Sequence, residues 1–503
     1  MRYFMGIDIG TYESKGVLMD KNGKCIMTHS VAHEMTSPLP GYAEHDAEKV
    51  WWGELCIISN VLLEKSGINS NEILGLGCSA IGPCCLPVDE NCNPLRQGIL
   101  YGVDVRAEKQ IRLLNDALGE DFILEKYGSP ITSQSIAPKI LWIKENEPDI
   151  YKRTARFLTS TSYMVAKLTG NYVIDRYTAA ALPPMYNMTT NDWDYDNLEM
   201  FCKPEQLAEC RWTDEVAGYI TKEAAAATGL KEGTPVTTGT PDASADAVGV
   251  GVFNPGDMLL MFGSSNFIIH VTPKPISDKR YWSGPYLFEN TYTIASGMAT
   301  AGTLTRWFRD RLLPDLLSEQ ELGKGNAYEL ILKELKDIPP GSDGLICLPY
   351  FSGERTPIND PLARGVFFGL TLHHTRAHMY QSCLEGVGYG IAQHFDGYAE
   401  IGMETKKIVA VGGGTKNEKW MQIISDVSGK ELLVGDEFGA AYGDAILAAL
   451  ATGALSSPNE ASKFIKFRKT VYPNPDNYKV YRPYLEVYTE LYNKTKDLMH
   501  RLA

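Results

Sequence analysis

The sequence predicts a mixed α/β protein of two domains. Three observations carry that expectation. Residues 3–20 and 257–271 each read as an apolar strand, a turn of glycine and hydroxyl residues, and a second apolar strand. Strand-like apolar runs then alternate with helical periodicity through both halves, the pattern of helices layered on sheets. The length, 503 residues, allows two cores. The first turn is Asp8-Ile9-Gly10-Thr11 and the second is Phe262-Gly263-Ser264-Ser265-Asn266. Glycine has no Cβ, so N–H groups and short hydroxyls in such a turn can close on a phosphate oxygen. Two of them, one per half, suggest domains that each hold one end of a nucleotide's phosphate chain.

The first domain is expected over residues 1–245 and the second over 246–503. After the first hairpin come a polar loop at 34–48 and a helix over Ala47–Lys65, with Trp51, Leu55, Ile58 and Leu62 on one face. Ile73–Ser79 reads as a buried strand. Val105–Leu118, Lys139–Asn146 and Thr159–Thr169 read as helices, the second ended by Glu147-Pro148 and the third by Gly170. In the second half, strands are expected at 257–271, 291–296, Gly344–Pro349 and Lys407–Val411. Helices are expected at 301–312, Thr375–Tyr398, Glu418–Ser428 and Ala441–Ala451.

Composition narrows the function. The formal net charge of −14 leaves no basic surplus to neutralise a nucleic acid. The 10 cysteines contain no CxxC pair and read as free thiols of a reducing cytosol. The first residues enter a strand without the basic and apolar regions of a secretory leader. No apolar run approaches the roughly 20 residues of a membrane span. The expected compartment is the cytoplasm, with neither membrane nor nucleic acid as partner.

Six segments in order carry a resemblance. They are Asp8-Ile-Gly-Thr11; Gly41-Tyr-Ala-Glu-His-Asp46 followed by Trp51; Gly239-Thr-Pro-Asp242-Ala-Ser-Ala-Asp246; and Phe262-Gly-Ser-Ser265. Tyr350-Phe-Ser-Gly-Glu-Arg-Thr-Pro357, with Arg364-Gly-Val-Phe-Phe-Gly-Leu-Thr371, and Gly412-Gly-Gly-Thr-Lys-Asn417 complete the set. Over nearly its whole length the chain resembles the FGGY carbohydrate kinases, in their xylulokinase-like branch, within the actin-like ATPase superfamily. The resemblance implies two actin-like (ribonuclease H-like) domains flanking a deep catalytic cleft. It implies ATP and Mg2+ as cofactors, a sugar or polyol as partner, and a homodimer as the common assembly.

Phosphoryl transfer needs in-line positioning, charge neutralisation and a base for the attacking hydroxyl. Asp8, at the first turn, suits a magnesium ion or its waters, or else caps the turn. Gly10 and Thr11 beside it suit phosphate. Asp242 follows a strand expected at 235–240 and opens a helix of small residues, so it can act as base or as a helix cap. The resemblance favours the base. Asp246, one turn on, reads as structural. The resemblance puts Gly263, Ser264, Gly302, Gly413, Gly414 and Asn417 around the nucleotide, although Gly302 equally suits close helix packing. Arg355 and Arg364 read as loop braces, Lys15 as a phosphate contact or a surface residue, and His373-His374 as a loop pair.

The sugar is expected to meet the loop after strand 73–79, where Ile81 stands. Xylulokinases resemble one another there in a Gln-Met-His-Gly segment; this chain has Ala80-Ile81-Gly82-Pro83. They also tend to carry Asn after the catalytic aspartate, where this chain has Ala243. Glycerol kinases share an Arg-Glu pair at the loop, which Ile81-Gly82 does not match. Asp104 can accept a sugar hydroxyl or pair with Arg106. The expected activity is ATP-dependent phosphorylation of a small sugar or polyol, with a ketose such as xylulose foremost. Two rivals share the scaffold: an ATPase that needs no sugar, and a sugar-sensing regulator without catalysis.

Overall fold

The structure, a computed structural model, describes residues 2–435 and 439–502. It divides into two compact units, one of Met1–Pro255, Val271–Ile294 and Phe438–Lys466, the other of Gly256–His270, Ala295–Glu437 and Phe467–Ala503.

The first unit is built on a seven-stranded sheet. Its opening strand Tyr3–Ile9 is buried along its whole length. It pairs antiparallel with Glu13–Asp20, which pairs antiparallel with Cys25–Ala32. On its other side it runs parallel to Ile73–Ala80. That strand pairs with Pro235–Thr237 and, at its carboxyl end, with Thr240–Pro241. Alternation sends successive side chains of the opening strand to opposite faces. Met5, Ile7 and Ile9 join a core with Leu55, Ile58 and Leu62 of the helix Glu54–Ser66. The other face presents Gly6 and Asp8, and there the late helix Ala440–Ala451 lies on the sheet. A Cβ at Gly6 would collide with the Ala441 carbonyl oxygen, and one at Gly77 with that of Asp444.

The second unit repeats the motif. Asp257–Phe262 pairs antiparallel with Asn266–Thr272 and parallel with Lys407–Val411, which runs parallel to Leu432–Gly435. Phe467–Val471 closes that edge antiparallel. The buried helix Arg376–Glu400 packs beside Glu418–Ser428.

Most expected elements are present. The expected helix over Ala47–Lys65 is a wider-wound turn, Ala47–Gly53, capped by Asp46, that runs into the α-helix Glu54–Ser66. The helix expected from Val105 begins at Glu108, because Asp104 and Arg106 are held in a turn. The strand expected at 235–240 is broken by Gly239, whose φ of +78° lets the chain re-enter the sheet one step along.

Candidate active site

Sheet register assembles one candidate site within the first unit. Asp8 stands opposite Lys15 on one neighbouring strand and opposite Ser79 on the other. Ser79 in turn faces Thr240, two residues before Asp242. Asp242 is the first residue of the helix Asp242–Gly249, so its carboxyl sits at the end of a strand and the start of a helix. Gly443 lets the late helix press on this one: a Cβ there would collide with the Ala245 carbonyl oxygen.

These contacts concentrate carboxylates. Ser79 Oγ lies 3.0 Å from Asp8 Oδ1 and 2.7 Å from Asp444 Oδ2. Asp8 and Asp444 are buried, while Asp242 and Asp246 keep partial solvent access. Burial holds Asp8 well above the usual carboxylate range, and the charges of Asp242 and Asp246 add to the shift. Burial lifts Asp242 to about 6, against the Ala243 N–H, which donates to its Oδ1 at 2.8 Å. Burial and then Asp242 raise Asp246 to about 7. Lys15 opposes the shifts of Asp8 and Asp246, but it is half exposed and paired with Glu13 at 3.1 Å. Crowded carboxylates with so little compensating charge fit a divalent cation, which would relieve their repulsion.

The first turn is braced by residues that sequence reasoning missed. His33 contacts Glu54 through Nδ1 at 2.9 Å and the Gly10 carbonyl through Nε2 at 3.1 Å. Both acceptors favour a doubly protonated ring, and Glu54 raises its pKa despite burial. His45 is the converse case. Its Nδ1 accepts from Trp51 Nε1, so Nε2 carries the proton donated to the Thr11 carbonyl at 3.2 Å. Burial drives its pKa down to about 4, and it stays neutral. Gly10 N donates to the Glu13 carbonyl, closing the turn.

A separate candidate site lies wholly in the second unit. A cavity of about 500 Å3 is lined by Gly263, Ser264, Gly302, Gly413, Gly414 and Asn417, six of the eight residues expected to bind the nucleotide; Gly10 and Thr11 belong to the first turn. Phe262 and Trp420, edge to face at 5.6 Å, also line it. Gly302 serves both readings the sequence allows. It lines the cavity, and its N–H donates to the Gly263 carbonyl so closely that a Cβ would collide with that oxygen. Thr303 N donates to the Ser264 carbonyl at 2.9 Å. A Cβ at Gly413 would meet open space, so backbone there is free for a flat ligand. Asn417 Oδ1 caps the helix Glu418–Ser428 by accepting from Trp420 N.

Residues 3–249 match the N-terminal domain model of the FGGY family of carbohydrate kinases, and residues 258–452 match its C-terminal domain model. The chain belongs to the FGGY family of carbohydrate kinases. It is 29% identical to a xylulose kinase of Bacillus subtilis over 509 residues, covering 99% of this chain and 98% of that protein. It is 28% identical to a gluconokinase of the same organism, covering 97% of this chain and 95% of the relative. The solved xylulose kinase of Rhodospirillum rubrum superposes with a TM-score of 0.92 at 28% identity, covering 99% of this chain and all of that one. The protein is an ATP-dependent carbohydrate kinase with the two-domain fold of its family.

Of the two alternatives left open for Asp104 in this FGGY kinase, the structure shows the pairing with Arg106. Its carboxylate is fully buried and receives Arg106 Nε and Nη2, the nearer at 2.7 Å, and the Ala43 N–H at 2.7 Å. Arg106 also reaches Glu44 at 2.7 Å. The pairing alternative holds, and a sugar hydroxyl would have to displace a buried ion pair. Ile81, expected to meet the sugar, is 1% exposed; its N–H donates to the Ile9 carbonyl, tying the loop after strand Ile73–Ala80 to the opening strand. Arg364 braces its loop through the carbonyls of Pro361 and Ala363.

The histidine loop holds more than a pair. Ligand atoms of Asp343, His373 and His378 lie within 4.8 Å of one another. His378 Nδ1 accepts from Thr375 N at 3.1 Å, so its Nε2 carries the proton and donates to Asp343. That tautomer makes the cluster a helix cap, with no lone pair on Nε2 for a metal.

Proposed function

We propose that this kinase phosphorylates a small ketose, with xylulose the first candidate, and that Asp242 is the general base. The carrying observation is that each unit holds one site at its glycine turn: a carboxylate cluster around the first and a cavity of about 500 Å3 around the second. Asp242 takes the proton of the attacking hydroxyl as the new O–P bond forms. Asp8 orients the divalent cation or its waters, and Gly10 and Thr11 face the phosphate. Gly263, Ser264 and Gly302 hold the nucleotide's phosphates, while Gly413, Gly414 and Asn417 border its adenosine. When bound, magnesium neutralises the charge of the transferred phosphoryl group. The acceptor hydroxyl is read as belonging to a xylulose-like ketose because xylulose kinases match end to end.

A second substrate has its own support. The gluconokinase relative is nearly as similar as the xylulose kinase, and the xylulokinase histidine is replaced by Ile81-Gly82. An aldonic acid is therefore the competing acceptor. ADP release measured over xylulose, ribulose, xylitol and gluconate, with a no-sugar control, separates the readings. The ketose reading expects kcat/KM for xylulose to exceed that for gluconate at least tenfold. The reverse order overturns it, and sugar-independent release would favour an ATPase. Free cysteines fit a cytoplasmic enzyme, and no helix among the described residues is long and apolar enough to cross a membrane. A homodimer without nucleic-acid or membrane partners completes the proposal.

A further inference from the structure

Asp444 belongs to none of the motifs read from the sequence, yet it is a fully buried acid beside the first turn. The sheet explains how it arrives there. Gly6 and Asp8 on one strand, and Gly77 and Ser79 on the next, are spaced by two and share a face. At the first position of each pair the missing Cβ admits the backbone of the late helix. At the second, the polar side chains meet Asp444: Ser79 Oγ is 2.7 Å from Asp444 Oδ2 and 3.0 Å from Asp8 Oδ1. Serine carries one hydroxyl hydrogen, so Asp8 and Asp444 share a single donor, and what one receives from Ser79 depends on the other. Asp444 Oδ1 is buried with no hydrogen-bond partner. A buried carboxylate oxygen left unpaired costs stability, and leucine or alanine would fill this helix position without that cost.

We propose that Asp444 is a positioning residue of the phosphoryl-transfer site: through Ser79 it fixes the orientation of Asp8 toward the divalent cation. The inference rests on the reading that Asp8 faces that cation. Residues standing behind a metal's direct ligands typically change its affinity by roughly 10–100-fold.

The test is Mn2+ binding, followed by electron paramagnetic resonance in the presence of ADP, in full-length protein. The variants are Asp444→Asn, Ser79→Ala, the double variant, and Asp8→Asn as reference. Asp444→Asn is expected to weaken Mn2+ binding roughly tenfold. It should raise the Mg2+ concentration for half-maximal turnover in parallel and leave the KM for sugar unchanged. Ser79→Ala is expected to do the same, and the double variant to be no weaker than Ser79→Ala alone, because one path is broken once. Wild-type Mn2+ affinity in Asp8→Asn would overturn the underlying reading of Asp8. Weakened binding in Asp8→Asn with wild-type affinity in Asp444→Asn would overturn the role of Asp444 alone. Should Asp444→Asn fail to fold by circular dichroism, Ser79→Ala decides: unchanged Mn2+ affinity there overturns the proposal.

Discussion

The two glycine turns share a backbone plan and differ in what stands behind them. Each joins antiparallel strands, and each opening strand runs parallel to a later one. Behind the first turn stand the ionisable groups Asp8, Asp444, His33 and His45 and the hydroxyl of Ser79. The second is supported by backbone amides of Gly302 and Thr303 and by the aromatic pair Phe262 and Trp420. The first turn is backed by buried acids and by imidazoles; the second borders a cavity lined by backbone, aromatic rings and a few charged side chains, Arg306, Glu329 and Lys416. A duplicated scaffold has been divided by its side chains into a chemical half and a holding half.

That division can be broken from either side. The largest effect is expected from Asp242→Asn, which keeps the shape and removes the base. Turnover should fall by roughly 10²–10⁴ while calorimetric ATP affinity stays within about twofold. Wild-type turnover would remove Asp242 from the chemistry. Next come two glycines of the holding half. Gly302→Val forces a side chain onto the Gly263 carbonyl and should lower both nucleotide affinity, by tenfold or more, and melting temperature. Gly413→Val projects into open space and should lower nucleotide affinity without lowering melting temperature. Equal thermal effects of the two would contradict the geometry.

Acidity sharpens the contrast further. With Asp242 at about 6, kcat/KM should fall about tenfold per unit as pH drops below 6 and level off above it. Asp242→Asn should abolish that limb. Stability runs the other way. Asp246 titrates near 7 in the fold against 3.8 for an ordinary aspartate, so between those values the folded chain holds a proton that the unfolded chain has released. The contribution favours folding at the acid end and is lost as pH rises through 7. The rise in melting temperature on adding Mg2+ should therefore be larger at pH 8 than at pH 6. The smallest effect is expected for Lys15→Met. The side chain is half exposed and already paired with Glu13, so solvent screens its attraction to Asp8, and Mg2+ dependence should change less than threefold.

The hairpins were legible because glycine between apolar runs has few other uses, and the helix Glu418–Ser428 and strand Lys407–Val411 fall where periodicity put them. Asp8 and Asp242 were legible as members of short local patterns. Asp444 was not, since it meets Ser79 across a sequence separation of 365 and its own neighbours are the alanines and leucines of a buried helix. His33 was equally silent, and His45, though inside the Gly41–Asp46 segment, was given no role, because both hold carbonyls that only the folded turn presents. Asp104 shows the limit of reading locally. Two residues before an arginine, it had two equal interpretations, and the surroundings of Ala43 and Glu44 chose between them.

The late helix has a consequence for how the chain matures. Residues 1–255 emerge from the ribosome long before Ala440–Ala451, the segment that covers Gly6 and Gly77, has been synthesised. Until then the sheet face that carries Gly6, Asp8, Gly77 and Ser79 stands without its cover, an intermediate of the sort chaperones attend. Nascent chains arrested before residue 440 should bind a hydrophobic dye that chains released at full length exclude.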